Sequence, residues 1–261
     1  MYMLLKENFY YLGKMLAVTI CLCFLVLHAT RATAEEQLHG IWSDLLERNV
    51  SDGVVDYQAM KKNESLLDEY LDKLDATDPE KLPEKARLAF YINAYNAYTV
   101  KLIIDNFEDG KPVESIKDLG GFFSGPWDIE FCRIGGKVYT LDNIEHDIIR
   151  PQFNEPRIHF AINCAAQSCP PLISEAYVAS RLDEQLQNNT VNFLNDKEFN
   201  RLEDKTLYVT KIFKWFSEDF NDDVVGFVRR YAQGDFKSKL QELGDEVRVK
   251  YLDYDWSLNN S

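Results

Sequence analysis

The residues best suited to chemistry lie in one segment, residues 157–172, which combines a histidine, an asparagine and two cysteines. In a β-strand, alternate side chains point to opposite faces. The segment alternates in this way, with Ile158, Phe160 and Ile162 on one face and His159, Ala161 and Asn163 on the other. The sequence therefore predicts a strand that buries one apolar face, presents an imidazole and an amide on the other, and then runs into two thiols.

These residue types fit a cysteine-dependent acyl hydrolase or acyltransferase. Such an enzyme needs a thiolate, an imidazole that accepts the thiol proton and a polar group that orients the imidazole. The candidates are the thiols Cys164 and Cys169, the imidazoles His159 and His146, and the orienting groups Asn163, Glu145 and Asp142. The predicted binding residues, for a peptide-like or small thiol or amide ligand, are Asn163, Asn93, Asn96 and Glu145.

The two thiols are not equivalent in sequence. Cys169 is followed by two prolines, which offer no backbone N–H to an oxyanion. Cys164 is followed by Ala165 and Ala166, whose amides are available and whose small side chains leave room for a ligand. Cys164 is therefore the predicted nucleophile, and Cys169 a resolving thiol or disulfide partner.

Other interpretations of the same residues stay open. One alternative is a non-catalytic binding module for a small molecule or peptide, and another is a scaffold, with Cys164 and Cys169 disulfide-bonded or buried in both. The more usual role for a histidine such as His159 is that of a core residue bonded to a backbone carbonyl. A zinc site from His159, Cys164 and Cys169 with His146 or Cys132 has looser spacing than established zinc motifs, so no metal is predicted. No glycine-rich phosphate loop follows a strand, and no cofactor is predicted.

The N-terminus has the features of a signal peptide. Lys6 and Lys14 precede or border an apolar core from Met15 to Leu27, and Ala32-Thr33-Ala34 fits the small-x-small cleavage rule. The core is shorter than the roughly 20 residues that cross a bilayer, although a signal anchor is the alternative. We therefore expect export to the periplasm or the medium, cleavage after Ala34 and no membrane span in the mature chain, which would form a single domain over residues 35–261.

The charge of the chain excludes one class of partner. The formal net charge is −14, and it becomes −16 without residues 1–34, which carry three basic side chains and one acidic one. A chain this acidic is not expected to bind nucleic acid through a general electrostatic field. Three cysteines remain after cleavage, an odd number, which permits at most one internal disulfide.

The elements that must position these residues centre on one helix, predicted from about Glu84 to Asp105. It is apolar around nearly its whole circumference, so it should be packed on all sides. Asn93 and Asn96 share a face of this helix, and their buried amides need partners, most simply in neighbouring loops.

Further elements follow from local signals. We predict a hairpin over residues 128–141 with a Gly135-Gly136 turn, and a short helix that Asp142 caps and Glu145 completes. Helices are also expected near 38–47, 61–74, 179–194 and 224–231, and extended segments at 207–213 and 247–252. Helix and strand signals alternate irregularly, which predicts an α+β domain: a central buried helix on a mostly antiparallel sheet with peripheral helices.

Six blocks in order resemble the family catalogued as domain of unknown function 547. They are residues 53–57, 88–97, 141–146, 157–172, 211–220 (Lys211 to Trp215 with Asp219-Phe220) and 254–259. The resemblance implies the fold of that family, whose activity is unestablished, and it carries no catalytic assignment. By analogy, the layout also looks like papain-like and transglutaminase-like thiol enzymes, in which a central helix packs on an antiparallel sheet. Those enzymes place the nucleophile at the start of the central helix, whereas the helix at 84–105 contains no cysteine.

Overall fold

The computed structural model describes residues 37–121 and 124–261, of which His39–Ser261 form one compact unit. The predicted signal peptide and its cleavage site lie outside the described residues. Within the described ranges, no helix combines the length and the apolar character that a membrane crossing requires. The fold is α+β, with helices predominating over short strands.

The first half of this unit is built around one buried helix. Its helices are α1 (residues 37–49), α2 (Tyr57–Lys62), α3 (Glu64–Ala76) and α4 (Glu84–Asp105). In α4, every residue from 88 to 100 is buried, which confirms the prediction that it is enclosed on all sides. It packs against α2, α3 and the turns that follow the hairpin, so its neighbours are mainly helical.

The strands form three small sheets. The first two are antiparallel hairpins, β1 (Val50–Ser51) with β2 (Val54–Val55) and β3 (Cys132–Ile134) with β4 (Lys137–Tyr139). Gly135 and Gly136 both have positive φ, as the predicted two-residue turn between β3 and β4 requires. In the third sheet, β5 (Arg201–Glu203) pairs antiparallel with β6 (Thr206–Val209), which pairs parallel with β7 (Arg248–Tyr251). The predicted α+β class is therefore confirmed, with the strands divided among three small, mostly antiparallel sheets.

The remaining helices follow the hairpin β3–β4. A π-helix covers Asn143–Ile149 and continues into α5 (Arg150–Gln152). The others are α6 (Leu182–Asn195), α7 (Ile212–Trp215), α8 (Val224–Tyr231) and α9 (Gly234–Leu243). The predicted extended segment 207–213 is thus wrong beyond Val209, because the chain turns into α7.

The predicted strand at 157–163 is also wrong. Residues Pro156–Phe160 form a 3₁₀-helix, with Pro156 in its first turn and the Glu155 carboxylate accepting from the backbone N–H of Arg157. All residues from 158 to 163 are buried, so the alternation of side-chain types does not separate a buried from an exposed face. Proline at the first helical position favours this local turn over an extended chain.

The expected cap at Asp142 is a further correction. Asp142 has helical dihedral angles, and its side chain accepts no capping hydrogen bond. Instead, Thr140 and Asn143 form a reciprocal pair, in which each side-chain oxygen accepts from the backbone N–H of the other residue, at 2.9 and 3.1 Å. The helical segment thus begins two residues before the predicted start, and Asp142, Glu145 and His146 line one cavity.

Candidate functional site

A cavity of about 300 Å³ brings together six of the sequence-predicted site residues. The six are Cys164, Cys169, His159, His146, Glu145 and Asp142. The other lining residues are mainly aromatic: Tyr95, Trp127, Asp128, Ile162, Pro170, Ile212, Trp215, Phe216, Tyr254 and Trp256. The described part of this lining includes no lysine or arginine.

Asn163 fixes the loop that carries both thiols. Its side-chain Nδ2 donates to the carbonyl of Pro170 at 2.8 Å, while its Oδ1 accepts from the N–H of Ala165 at 2.8 Å. One buried amide therefore ties together the two ends of the Cys164–Pro170 loop. Ala165 has φ of 60° in this loop, a left-handed conformation that costs a non-glycine residue roughly 1 kcal/mol. Asn163 itself does not line the cavity, so its contribution is to hold the thiols in place.

The two thiols face each other across this loop. Their Sγ atoms lie 2.8 Å apart, and the backbone N–H of Cys164 donates to Cys169 Sγ at 2.9 Å. Cys169 is buried, whereas Cys164 is partly exposed. Cys164 Sγ also lies 3.2 Å from the hydroxyl of Tyr254.

These contacts separate the acidities of the two sulfurs. Hydrogen bonds from the Cys169 thiol, from the Tyr254 hydroxyl and from the N–H of Ala166 lower the pKa of Cys164, although burial opposes them. Burial, followed by the hydrogen bond to Cys164, raises the pKa of Cys169 well above its ordinary value. The pair therefore favours a thiolate on Cys164 and a proton on Cys169.

The amides after Cys164 are not available in the way the sequence suggested. The N–H of Ala165 is taken by Asn163 Oδ1, and the N–H of Ala166 points to the Cys164 sulfur. These amides stabilise the loop and the thiolate, so an oxyanion would need another donor. Among the hydroxyl groups of the described lining, that of Tyr254 lies 3.2 Å from Cys164 Sγ.

His159 is oriented by a residue that sequence reasoning did not select. Its Nε2 lies 2.6 Å from Oδ2 of Asp219, whereas Asn163, Glu145 and Asp142 were the predicted orienting groups. Arg150 holds the same carboxylate from the other side, with its Nε 2.6 Å from Oδ2 and its Nη2 3.1 Å from Oδ1. The Asp219 carboxylate is thus fixed by two partners at once.

The packing of neighbouring phenylalanines brings this pair together. Phe160 follows His159, Phe220 follows Asp219, and the two rings lie 6.0 Å apart within one buried cluster. The His159 ring itself stacks on Phe216 at a centroid distance of 4.2 Å. Hydrophobic burial of the adjacent residues therefore sets the approach of the imidazole to the carboxylate.

The protonation states follow from this environment. Burial lowers the pKa of His159, even though Asp219 opposes it, so the imidazole is neutral near neutral pH. Burial alone would raise the pKa of Asp219, but hydrogen bonds from His159 and Arg150 hold it well below its usual range. An ionised carboxylate beside Nε2 selects the tautomer with the proton on that nitrogen, which leaves the lone pair on Nδ1.

His146 is engaged at both ring nitrogens. Arg150 donates from Nη1 to His146 Nδ1 at 2.7 Å, and Nε2 lies 3.4 Å from Oδ1 of Asp142. Because a guanidinium can only donate, Nδ1 of His146 is an acceptor in this arrangement. His146 lines the cavity but contacts the arginine that holds Asp219, so it supports the His159–Asp219 pair.

Glu145 places a buried carboxyl group in the cavity. Its side chain is buried, and the hydroxyl of Tyr95 on α4 hydrogen-bonds to it. Burial raises the pKa of Glu145 to about 7, so both protonation states are populated near neutral pH. Glu145 and its neighbour His146 belong to the π-helix, a conformation that recurs at functional sites.

The amides of α4 do not line the cavity. Asn93 donates to the carbonyl of Tyr177 and accepts from its N–H, at 2.8 and 2.9 Å. Asn96 donates to the carbonyl of Ala161 at 2.9 Å and accepts from the N–H of Asn163 at 2.8 Å. Both amides anchor neighbouring loops, and Asn96 connects the central helix directly to the thiol segment.

The aromatic wall was missed by sequence reasoning. Trp215, Tyr254 and Trp256 contact one another with centroid distances of 4.6–5.8 Å, and Trp127 packs on Trp256 at 5.6 Å. The only sequence signal was indirect, since three of these residues lie in blocks that carry the family resemblance without an assigned role. The fourth, Trp127, immediately precedes the predicted hairpin at 128–141 and lies in none of these blocks.

The alternative zinc set is not assembled. Cys132 is buried in β3 and does not line the cavity. Over residues 37–121 and 124–261, no three histidine, cysteine, aspartate or glutamate side chains are arranged to hold a metal ion.

Comparison with known families supports the resemblance over part of the chain. Residues 79–194 match the family model described as "Protein of unknown function, DUF547". This segment covers somewhat less than half of the chain but contains α4, the π-helix and both thiols. Asp219, Tyr254 and two of the tryptophans lie beyond it. No curated protein and no solved structure matches the chain, so the likeness to papain-like and transglutaminase-like enzymes gains no support.

Proposed function

We propose that this protein is a cysteine-dependent acyl hydrolase or acyltransferase. Cys164 is the nucleophile, His159 the general base and Asp219 the residue that orients the base. The observation that carries the proposal is the 2.6 Å contact between His159 Nε2 and Asp219, in a cavity that His159 shares with a thiol surrounded by donors. A nucleophile, a base and an orienting carboxylate are the three parts that acyl transfer through cysteine requires.

The reaction begins with proton transfer from the Cys164 thiol to Nδ1 of His159. The thiolate attacks the carbonyl carbon of an amide or thioester, and the Tyr254 hydroxyl donates to the oxyanion that develops. Collapse of the intermediate expels an amine or thiol, which takes the proton from Nδ1, and leaves an acyl group on Cys164. Water completes hydrolysis, or an acceptor amine or hydroxyl completes transfer.

The shape of the cavity limits the substrate. A volume of about 300 Å³ is at the small end of ligand pockets and accommodates a small acyl group or one or two residues of a peptide. The tryptophans add apolar contact area to the lining that they share with Cys164. We therefore expect small amides, thioesters or peptide ends to be better substrates than bulky esters.

Alkylation by iodoacetamide as a function of pH tests the nucleophile. We expect Cys164 to be labelled at lower pH than an ordinary cysteine in the wild type, because its thiolate is stabilised, and Cys132 to react only on unfolding, because burial raises its pKa. His159→Gln should shift the labelling of Cys164 to higher pH while circular dichroism stays unchanged. Mass spectrometry of the labelled peptides gives both results.

Turnover of small aryl thioesters and anilides tests catalysis. Cys164→Ser and Asp219→Asn should lose turnover, and Cys132→Ser is the matched control because that thiol lies outside the cavity. Undiminished turnover by Cys164→Ser, or identical alkylation profiles for wild type and His159→Gln, would overturn the proposal.

A second candidate is a binding module without turnover, and the aromatic wall favours it. Tryptophan and tyrosine side chains provide large contact areas for sugars, peptides or other flat ligands. Quenching of tryptophan fluorescence by a small ligand, in a protein that turns over none of the thioesters or anilides, would select this candidate instead.

A further inference from the structure

The two cysteines of the cavity are placed for a reaction of their own. Their sulfurs are 2.8 Å apart, and a covalent disulfide requires about 2.05 Å, so a side-chain movement of less than about 1 Å would join them. The backbone is already constrained, because Asn163 ties the loop at Pro170 and Cys169 N–H donates to the carbonyl of Ala166 at 3.0 Å.

The surroundings of the thiols differ in the way that an attacking and a resolving thiol differ. Cys164 is partly exposed and lines the cavity, so a reagent can reach it. Cys169 is buried behind it, with its Sγ in contact with Cys164 Sγ and with the N–H of Cys164. A thiolate that is accessible attacks first, and a buried neighbour can then attack only the sulfur in contact with it.

We infer that Cys164 and Cys169 form a dithiol that exchanges with low-molecular-weight disulfides, in addition to any acyl chemistry. The Cys164 thiolate attacks one sulfur of the small disulfide, whose S–S bond breaks, and the first thiolate leaves with the electron pair and takes a proton from solvent. Cys169 then loses its proton to solvent and attacks Cys164 Sγ, which forms the internal disulfide and expels the second thiol. The protein loses two electrons and two protons, and the small disulfide is reduced to two thiols.

The third cysteine of the described chain provides an internal control. Cys132 lies on β3, is fully buried and has no place in the cavity. The exchange therefore involves one pair, and a free thiol remains after oxidation.

Glutathione disulfide is a suitable probe, used on the full chain at graded ratios to reduced glutathione and followed by acid quenching and mass spectrometry. The wild type should become lighter by two hydrogen atoms, with Cys164 and Cys169 linked in one peptide and no retained adduct. Cys169→Ser should accumulate one stable glutathione adduct on Cys164. Cys164→Ser should react with glutathione disulfide at least about tenfold more slowly than the wild type. Cys132→Ser should form the Cys164–Cys169 disulfide as the wild type does.

Other outcomes would overturn the inference. A lasting adduct on the wild type would show that Cys169 does not resolve it, and a link to Cys132 would show a different pairing. Absence of an adduct on a folded Cys169→Ser would show that Cys164 does not attack. If Cys169→Ser does not fold, the wild type still tests the inference. Its mass spectrum shows either the Cys164–Cys169 disulfide or a lasting glutathione adduct, and neither result requires the variant. None of these readouts needs acyl turnover, so the inference and the proposed acyl function can fail separately.

Discussion

The substitution Glu145→Gln should remove a pH-dependent loss of folding stability that is caused by the buried carboxyl group. Glu145 is 8 % exposed and hydrogen-bonded by Tyr95, with no lysine or arginine among the described lining of its cavity. Burial raises its pKa from the ordinary 4.5 to about 7. The folded state therefore holds the proton more tightly than the unfolded state.

The sign and size of the effect follow by linkage. A raised pKa in the folded state gives stability that is present below pH 4.5 and is lost as the pH rises through about 7. One pKa unit corresponds to about 1.4 kcal/mol, so the free energy of unfolding of the wild type should fall by about 3 kcal/mol over this window from this group. Glu145→Gln keeps the shape and the acceptor for Tyr95 but cannot ionise, so its stability should lack this decrease.

Urea unfolding at a series of pH values, followed by circular dichroism, measures the difference. Below pH 4.5 the variant and the wild type should agree within about 1 kcal/mol, and above neutral pH the variant should be more stable by up to about 3 kcal/mol. Glu130→Gln, which removes an exposed carboxylate, is the matched control and should track the wild type throughout. Parallel curves for wild type and Glu145→Gln would refute the reasoning, because they would mean that Glu145 ionises as readily in the fold as in the open chain.

Three further predictions concern the parts that position the site. Asp219→Asn should reduce thioester turnover by about 10³-fold or more, because His159 loses the carboxylate that selects its tautomer; turnover within tenfold of the wild type contradicts this. Ala165→Gly should change the free energy of unfolding by less than about 1 kcal/mol, because relief of the positive φ offsets the loss of the buried methyl group. Ala166→Gly, the control, should lower the free energy of unfolding by about 1 kcal/mol, measured by urea unfolding. Equal losses in the two variants would contradict this prediction. Ile92→Asp should abolish the cooperative thermal transition, because it buries an unpaired charge in α4; a soluble variant with a native transition would contradict it.

The elements that local sequence determines were predictable. The helix at 84–105 follows from a run that is apolar on all sides, and the β3–β4 hairpin from two adjacent glycines, since both signals act within a few residues. The strand prediction at 157–163 failed because it took only the alternation of side-chain types into account. Alternation of side-chain types is consistent with a strand, but Pro156 and the Glu155 cap stabilise a 3₁₀ turn, and both faces of the segment are buried by other parts of the chain.

The candidate site also combines features that local sequence predicts with features that depend on remote parts of the chain. The residue types of His159, Cys164 and Cys169 limited the chemistry, and their closeness in sequence was enough to place them in one cavity. The orienting partner of His159 could not be found in this way, because Asp219 lies 60 residues further along the chain and is brought near by the packing of Phe160 on Phe220. Tertiary structure alone assigned Asp219.

The sequence by itself determined which groups were available for chemistry: histidines, two thiols followed by different residues, and an acid at position 145. Only the tertiary structure decided how they act on one another. Hydrogen-bond partners and burial set which thiol holds the charge, which nitrogen of His159 is free and where Glu145 titrates. These quantities depend on distances of a few ångströms between residues remote in sequence, because electrostatic and hydrogen-bond energies fall steeply with separation and grow when water is excluded.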